Sequence, residues 1–156
     1  MCLLTTEIRR VKPSCIIHLT IIGAALANPN TKIVCISGDG SFLMNIQELD
    51  TLAEQNLNIT VIVMNNRHLG LVRQQQELFY GGRIFASRFE SLPDFTSIAH
   101  GFGIEAYDLE KENNPIRMLE TAFKTQGPFL INAPVDYEHN VYPMVPPGAP
   151  NREMIC

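Results

Sequence analysis

Two short polar stretches in this 156-residue chain combine residue types that could hold a metal and an anion. Gly38-Asp39-Gly40-Ser41 follows the apolar run Val34 to Ser37, and Asn65-Asn66-Arg67-His68-Leu69-Gly70 follows Ile59 to Met64. Asp39 and the Asn66 side chain are hard oxygen donors. With a backbone carbonyl, two phosphate oxygens and a water they would complete the octahedron that magnesium prefers. The carboxylate of Asp39 repels a bare phosphate, so a cation must stand between the two. Gly38 and Gly40 let backbone approach a ligand closely, and a helix starting there turns free N–H groups toward an anion. Neither stretch means much alone, since a Gly-Asp-Gly is usually a turn. The pair carries the weight, because each caps an apolar strand. A P-loop is ruled out by the missing Gly-Lys-Ser/Thr. The dinucleotide fingerprint fails at Leu43.

For Asp39 and Asn66 to meet, their strands must be parallel neighbours with ends on one sheet edge, where open α/β folds bind ligands. Lys32 to Ser37 reads as a strand apolar on both faces. Leu43, Ile46, Leu49 and Leu52 recur at three-residue steps, which predicts an amphipathic crossover helix within residues 42–58. A helix is expected from Ile16 to Ala27, before Asn28-Pro29-Asn30, and another from Leu71 to Tyr80. Gly81-Gly82 opens an irregular segment to Leu92. Pro93 is read as starting a helix that carries Phe95, Ile98, Ala99 and Phe102. Ile104 to Leu109 is a short strand, Pro115 to Lys124 a helix, and Phe129 to Val135 the last strand. The alternation predicts an α/β fold, an open and mainly parallel sheet with helices on both faces. The tail with Pro143, Pro146, Pro147 and Pro150 is extended and wraps a surface or stays disordered. The expected divisions are a divergent segment 1–21, a binding domain 22–135 and a proline-rich tail 136–156.

Composition bounds the rest. The chain is 46% hydrophobic and 18% charged with a net charge of −4, which argues against nucleic acid or an anionic membrane as partner. No apolar run is long enough for a membrane span. Arg9 to Ala27 imitates a signal peptide, but His18 and Thr20 interrupt the short apolar part, so a cytoplasmic location is the expectation. Cys2, Cys15, Cys35 and Cys156 form no metal-binding spacing, and Cys35 reads as a reduced core residue. His68 and His100 read as loop and helix-surface residues, and Glu48 as solvated helix surface. Gln74-Gln75-Gln76 is either a polar helix face or part of the crevice. No general base is visible.

Gly-Asp-Gly followed by Asn-Asn at this spacing resembles the motif of thiamine-diphosphate-dependent enzymes. The stretch Gly38 to Leu49 resembles that of acetolactate synthase (acetohydroxyacid synthase) catalytic subunits more narrowly. Leu69 to Gln74 and the tail Val141 to Ala149 resemble that family too, over about Ile22 to Ile155. The resemblance implies condensation of pyruvate with a second 2-keto acid with loss of carbon dioxide, in branched-chain amino acid or acetoin pathways. It implies thiamine diphosphate and Mg2+ as cofactors, and a homo-oligomer. By position, Asp39 and Asn66 would ligate magnesium by side chain and His68 by its carbonyl. Gly38, Gly40, Ser41 and Gly70 would line the diphosphate. Met44 and Leu71 would lie near the cofactor or substrate, and the tail would fold over the active site.

Three departures limit this. The resemblance covers only the last of three family domains; the activating glutamate belongs to the first domain of a partner subunit, and FAD is not expected in this fragment. Residues before Ile22 look unrelated, as after a truncation or frameshift. Gln75 stands where many members carry tryptophan, which bears on preference for 2-ketobutyrate. The expectation is a cofactor-binding domain inactive alone. The alternatives are a non-catalytic binder of magnesium-thiamine diphosphate, or a domain of another thiamine-diphosphate decarboxylase or carboligase.

Overall fold

Runs of β-branched residues broken by glycine or asparagine give a parallel sheet, and a computed structural model describes it for residues 2–4 and 17–156. Four strands run parallel: β2 (Ile33–Gly38), β3 (Ile59–Asn65), β4 (Glu105–Asp108) and β5 (Phe129–Pro134). A fifth, β1 (Cys2–Leu4), pairs antiparallel with β2, giving the order β1-β2-β3-β5-β4. The helices are α1 (Ile17–Ala27), α2 (Asp39–Leu43), α3 (Glu48–Glu54), α4 (Gly70–Phe79), α5 (Phe95–Gly101) and α6 (Pro115–Lys124). The expected α/β fold is therefore present. Residues 1 and 5–16, with Cys15 and the first part of the signal-like stretch, lie outside the described residues.

Successive residues of a strand point to opposite faces. In β5, Phe129, Leu130, Ile131 and Asn132 are all buried, so both faces of the sheet are covered. Ile59, Thr60, Val61 and Val63 show the same in β3. Thr60 stays in this apolar layer because its hydroxyl donates to Ala122 O at 3.1 Å. Cys35 is fully buried, as its strand position implies.

The crossover departs from the single expected helix. Residues 44–47 tighten through i→i−3 bonds, including Asn45 N–H to Phe42 O at 3.1 Å and Glu48 N–H to Asn45 O at 3.1 Å. Apolar residues at three-residue steps suit a 3₁₀ turn of three residues better than a continuous α-helix. The turn buries Phe42 fully, against Phe95, with ring centroids 5.3 Å apart in an edge-to-face pair. Pro93 also sits outside its helix: Asp94 is the N-cap of α5, accepting from the N–H of Thr96 and Ser97. Pro115 does open α6, capped by Asn114.

Two compact units divide the chain. One holds the sheet, Met1–Asn65 with Pro93–Val135; the other holds Asn66–Leu92 with Asp136–Cys156. In the sheet unit, Lys32 Nζ donates to Thr125 O at 2.7 Å and Gly127 O at 3.2 Å, fixing the turn into β5. Burial lowers the Lys32 pKa to about 8. In the other unit the tail is ordered against α4. Gln74 Nε2 donates to Val141 O at 2.8 Å, and Val141 N–H returns a bond to Gln74 Oε1 at 3.1 Å. Met144 and Ile155 pair with each other through both backbone bonds. Among the described residues no helix is long and apolar enough to cross a membrane.

The α5 cap gives a pH-dependent prediction. The Thr96 hydroxyl, then the Ser97 N–H, hold the Asp94 carboxyl well below its ordinary 3.8. A lowered folded pKa means stability that is present above 3.8 and lost as pH falls below it. Asp94→Ala should cost about 1 kcal/mol at pH 7. The gap to the parent should narrow in urea unfolding at about pH 3. An unchanged gap would contradict the cap assignment.

Candidate functional site

Parallel pairing sets β2 and β3 in register with Ile33 opposite Ile59 and Gly38 opposite Met64. The two strands therefore end level. Asp39 follows Gly38 directly, and Asn66 follows Asn65, the last residue of β3. Gly38 has φ −75° and ψ 157°, ordinary extended backbone, so it is not there for a left-handed turn. A Cβ at Gly38 would meet no atom of the chain within 4 Å. Its use is the open space above it.

In the sheet unit, Asp39 is 2% exposed and its Oδ1 accepts the Gly40 N–H at 2.7 Å. The carboxylate is thereby turned and held at the strand end. Gly40 and Ser41 lie in α2, whose five residues give a weak dipole. Met44, just beyond α2, is largely exposed. Asn45 is buried, and its Nδ2 has no acceptor among the described residues.

In the second unit, Asn66 folds its side chain back as an Asx turn: its Oδ1 accepts the His68 N–H at 3.0 Å. The His68 ring meets Asn66 O through Nδ1 at 2.8 Å and stacks on Tyr137. Gly70 starts α4, and a Cβ there would come within 2.9 Å of Asn66 Nδ2. Glycine at this position keeps the Asn66 carboxamide in place. Leu71 is largely exposed.

Arg73 and Gln74 have a role that their sequence neighbourhood did not signal. Both are buried on α4. Arg73 donates to Glu138 O at 3.2 Å and Asn140 Oδ1 at 2.9 Å, and pairs with Glu77 at 3.1 Å. Gln76 holds the other flank through Phe85 backbone and the Ser87 hydroxyl. Within the glutamine run, Gln74 and Gln76 brace loops, while Gln75 and Gln76 line a cavity with Val72, Tyr80 and Arg83. His100 is exposed on α5, as expected of a surface residue. No group of three His, Cys, Asp or Glu able to hold a metal occurs among the described residues, so a metal here needs amide, carbonyl or ligand oxygens. Asp39 and Asn66 fit that demand, since each carries an oxygen oriented by a neighbouring N–H.

An open, mainly parallel α/β sheet is the class of fold in which ligands bind at the carboxyl ends of the strands. Residues 20–133 match the family described as thiamine pyrophosphate enzyme, C-terminal TPP binding domain, and the chain belongs to it. It is 52% identical over 134 residues to the acetolactate synthase isozyme 1 large subunit of Escherichia coli (strain K12), covering 86% of this chain and 24% of that protein. It is 46% identical over 135 residues to the acetolactate synthase large subunit of Pyropia yezoensis, covering 86% and 23%. The corresponding figure for isozyme 2 of E. coli is 41% over 134 residues, covering 86% and 24%. The chain thus spans 23–24% of the length of these relatives.

Gly70→Ala should push the Asn66 carboxamide off the His68 N–H. Hydrogen exchange at His68 should then rise by up to about tenfold, the equivalent of one net hydrogen bond. Unchanged exchange would show that the loop absorbs the methyl group.

Proposed function

We propose that this chain is the cofactor-holding domain of an acetolactate synthase large subunit, gripping the diphosphate of thiamine diphosphate through magnesium. The observation that carries this is the level ending of β2 and β3, Gly38 opposite Met64, with a buried, oriented carboxylate one residue on. In this reading Asp39 and Asn66 ligate the metal through side-chain oxygens and His68 through its carbonyl. Gly38, Gly40, Ser41 and Gly70 line the diphosphate. The His68 N–H bond to Asn66 Oδ1 uses one lone pair of the amide oxygen and leaves a second for the cation. Met44 and Leu71 offer exposed apolar side chains to the uncharged parts of the cofactor or substrate.

Thiamine diphosphate supplies the carbanion chemistry that lets pyruvate lose carbon dioxide and join a second 2-keto acid. The side chains of this chain bind and orient. The His68 ring is oriented by Nδ1 against Asn66 O and by its stack on Tyr137. Self-association belongs to the same reading, because Leu71, Val72, Ile84 and Phe85 leave apolar area exposed in one unit.

Calorimetry of the 156-residue chain with thiamine diphosphate should show binding with magnesium and little without it. Asp39→Ala should weaken it at least tenfold, a loss of about 1.4 kcal/mol or more. Pyruvate should yield no acetolactate with the chain alone. Equal heats for parent and Asp39→Ala would end the metal assignment, and turnover by the isolated chain would overturn the division between grip and catalysis.

A further inference from the structure

Strand β5 lies between β3 and β4, and Asn132 sits where both pairings act. Opposite it stand Val63 on β3 and Asp108 on β4. Its backbone O accepts the Leu109 N–H at 3.0 Å, which carries the β4 pairing one residue past the end of that strand. The residues before it, Leu130 and Ile131, are fully buried and apolar, and Asn132 is itself only 8% exposed. Burying a carboxamide in such company costs free energy unless it is hydrogen-bonded.

The bond it makes is to the end of β3. Val63 and Asn65, two residues apart, point to one face of their strand, and Val63 is the residue opposite Asn132. Asn132 therefore reaches Asn65 on a diagonal, and its Oδ1 accepts from Asn65 Nδ2 at 3.1 Å. The main chain adds a second tie, from the Val135 N–H to Asn65 O at 3.0 Å. Strand β5 thus holds the last residue of β3 by side chain and by backbone, all within the sheet unit. The next residue along the chain is Asn66, whose carboxamide oxygen is aligned by the His68 N–H.

We infer that Asn132 is a positioning residue for the metal ligand Asn66: it anchors Asn65, the residue from which Asn66 is presented. The inference rests on the magnesium-diphosphate reading above. Asn132 is no ligand in it and acts through Asn65. Groups that orient a ligand matter to metal affinity, and their removal typically weakens it about 10–100-fold. A pair that only satisfied two amides would lower stability when broken and leave metal affinity alone.

The test is calorimetry of the full chain with thiamine diphosphate and magnesium, on the parent, Asn132→Ala, Asn65→Ala and the double variant, each below its melting temperature. Asn132→Ala should weaken the magnesium-dependent binding about tenfold. The double variant should be no weaker than Asn65→Ala, because residues acting through one bond are not additive. Without any ligand, hydrogen exchange at the Val135 N–H should rise in Asn132→Ala. If that variant fails to fold, Asn132→Leu, which fills the space without an acceptor, takes its place. Parent affinity in a folded variant lacking the acceptor overturns the inference and leaves the metal grip standing. Additive losses in the double variant, or unchanged exchange at Val135, overturn it as well. Absence of magnesium-dependent binding by the parent would instead remove the grip itself, and the positioning role with it.

Discussion

The parallel pairing of β2 with β3 is the constraint on which the rest depends. Its register, from Ile33 opposite Ile59 to Gly38 opposite Met64, ends both strands together. A slip of one residue would turn every side chain of a strand to the other face. In β3 that would exchange the buried Val61 and Val63 for the more accessible Ile62 and Met64 at the strand end. The unequal burial of the two faces toward the strand end thus fixes the register, and the register fixes where Asp39 and the loop from Asn66 begin.

Below that edge the packing holds Asp39 in position. Phe42, three residues on, is fully buried against Phe95 at the start of α5. Replacing a fully buried phenylalanine with alanine costs roughly 3–5 kcal/mol, so α2 cannot shift without losing much of a typical domain's stability. In the second unit polar bonds do the equivalent work. Arg73 and Gln74 satisfy backbone groups of Glu138 and Val141, which gives a tail rich in proline the partners its own backbone cannot supply.

Strands β2, β3 and β5 were legible because apolar runs end abruptly in glycine, asparagine or proline. The broken crossover was less so: Leu43, Ile46, Leu49 and Leu52 fit one face of an α-helix, yet steps of three also suit the tighter turn found at residues 44–47. Pro93 is the more conspicuous helix signal, yet the cap is Asp94, an aspartate standing just before Phe95 as N-caps commonly do. The proposed metal ligands stand out by residue type and spacing. Arg73, Gln74 and Tyr137 do not, since their partners are far away in sequence and no local pattern announces them. Arg73 and Gln74 reach residues 65 to 67 positions later.

The central claim is that Asp39, Asn66 and the His68 carbonyl share one metal bound to the diphosphate. Anomalous scattering from crystals grown with manganese and thiamine diphosphate tests it most directly. The account predicts a single manganese peak within about 2.0–2.3 Å of an Asp39 carboxylate oxygen, Asn66 Oδ1 and His68 O, with diphosphate oxygens completing the shell. A peak bonded to the diphosphate but not to Asp39, or cofactor density away from both strand ends, would contradict it.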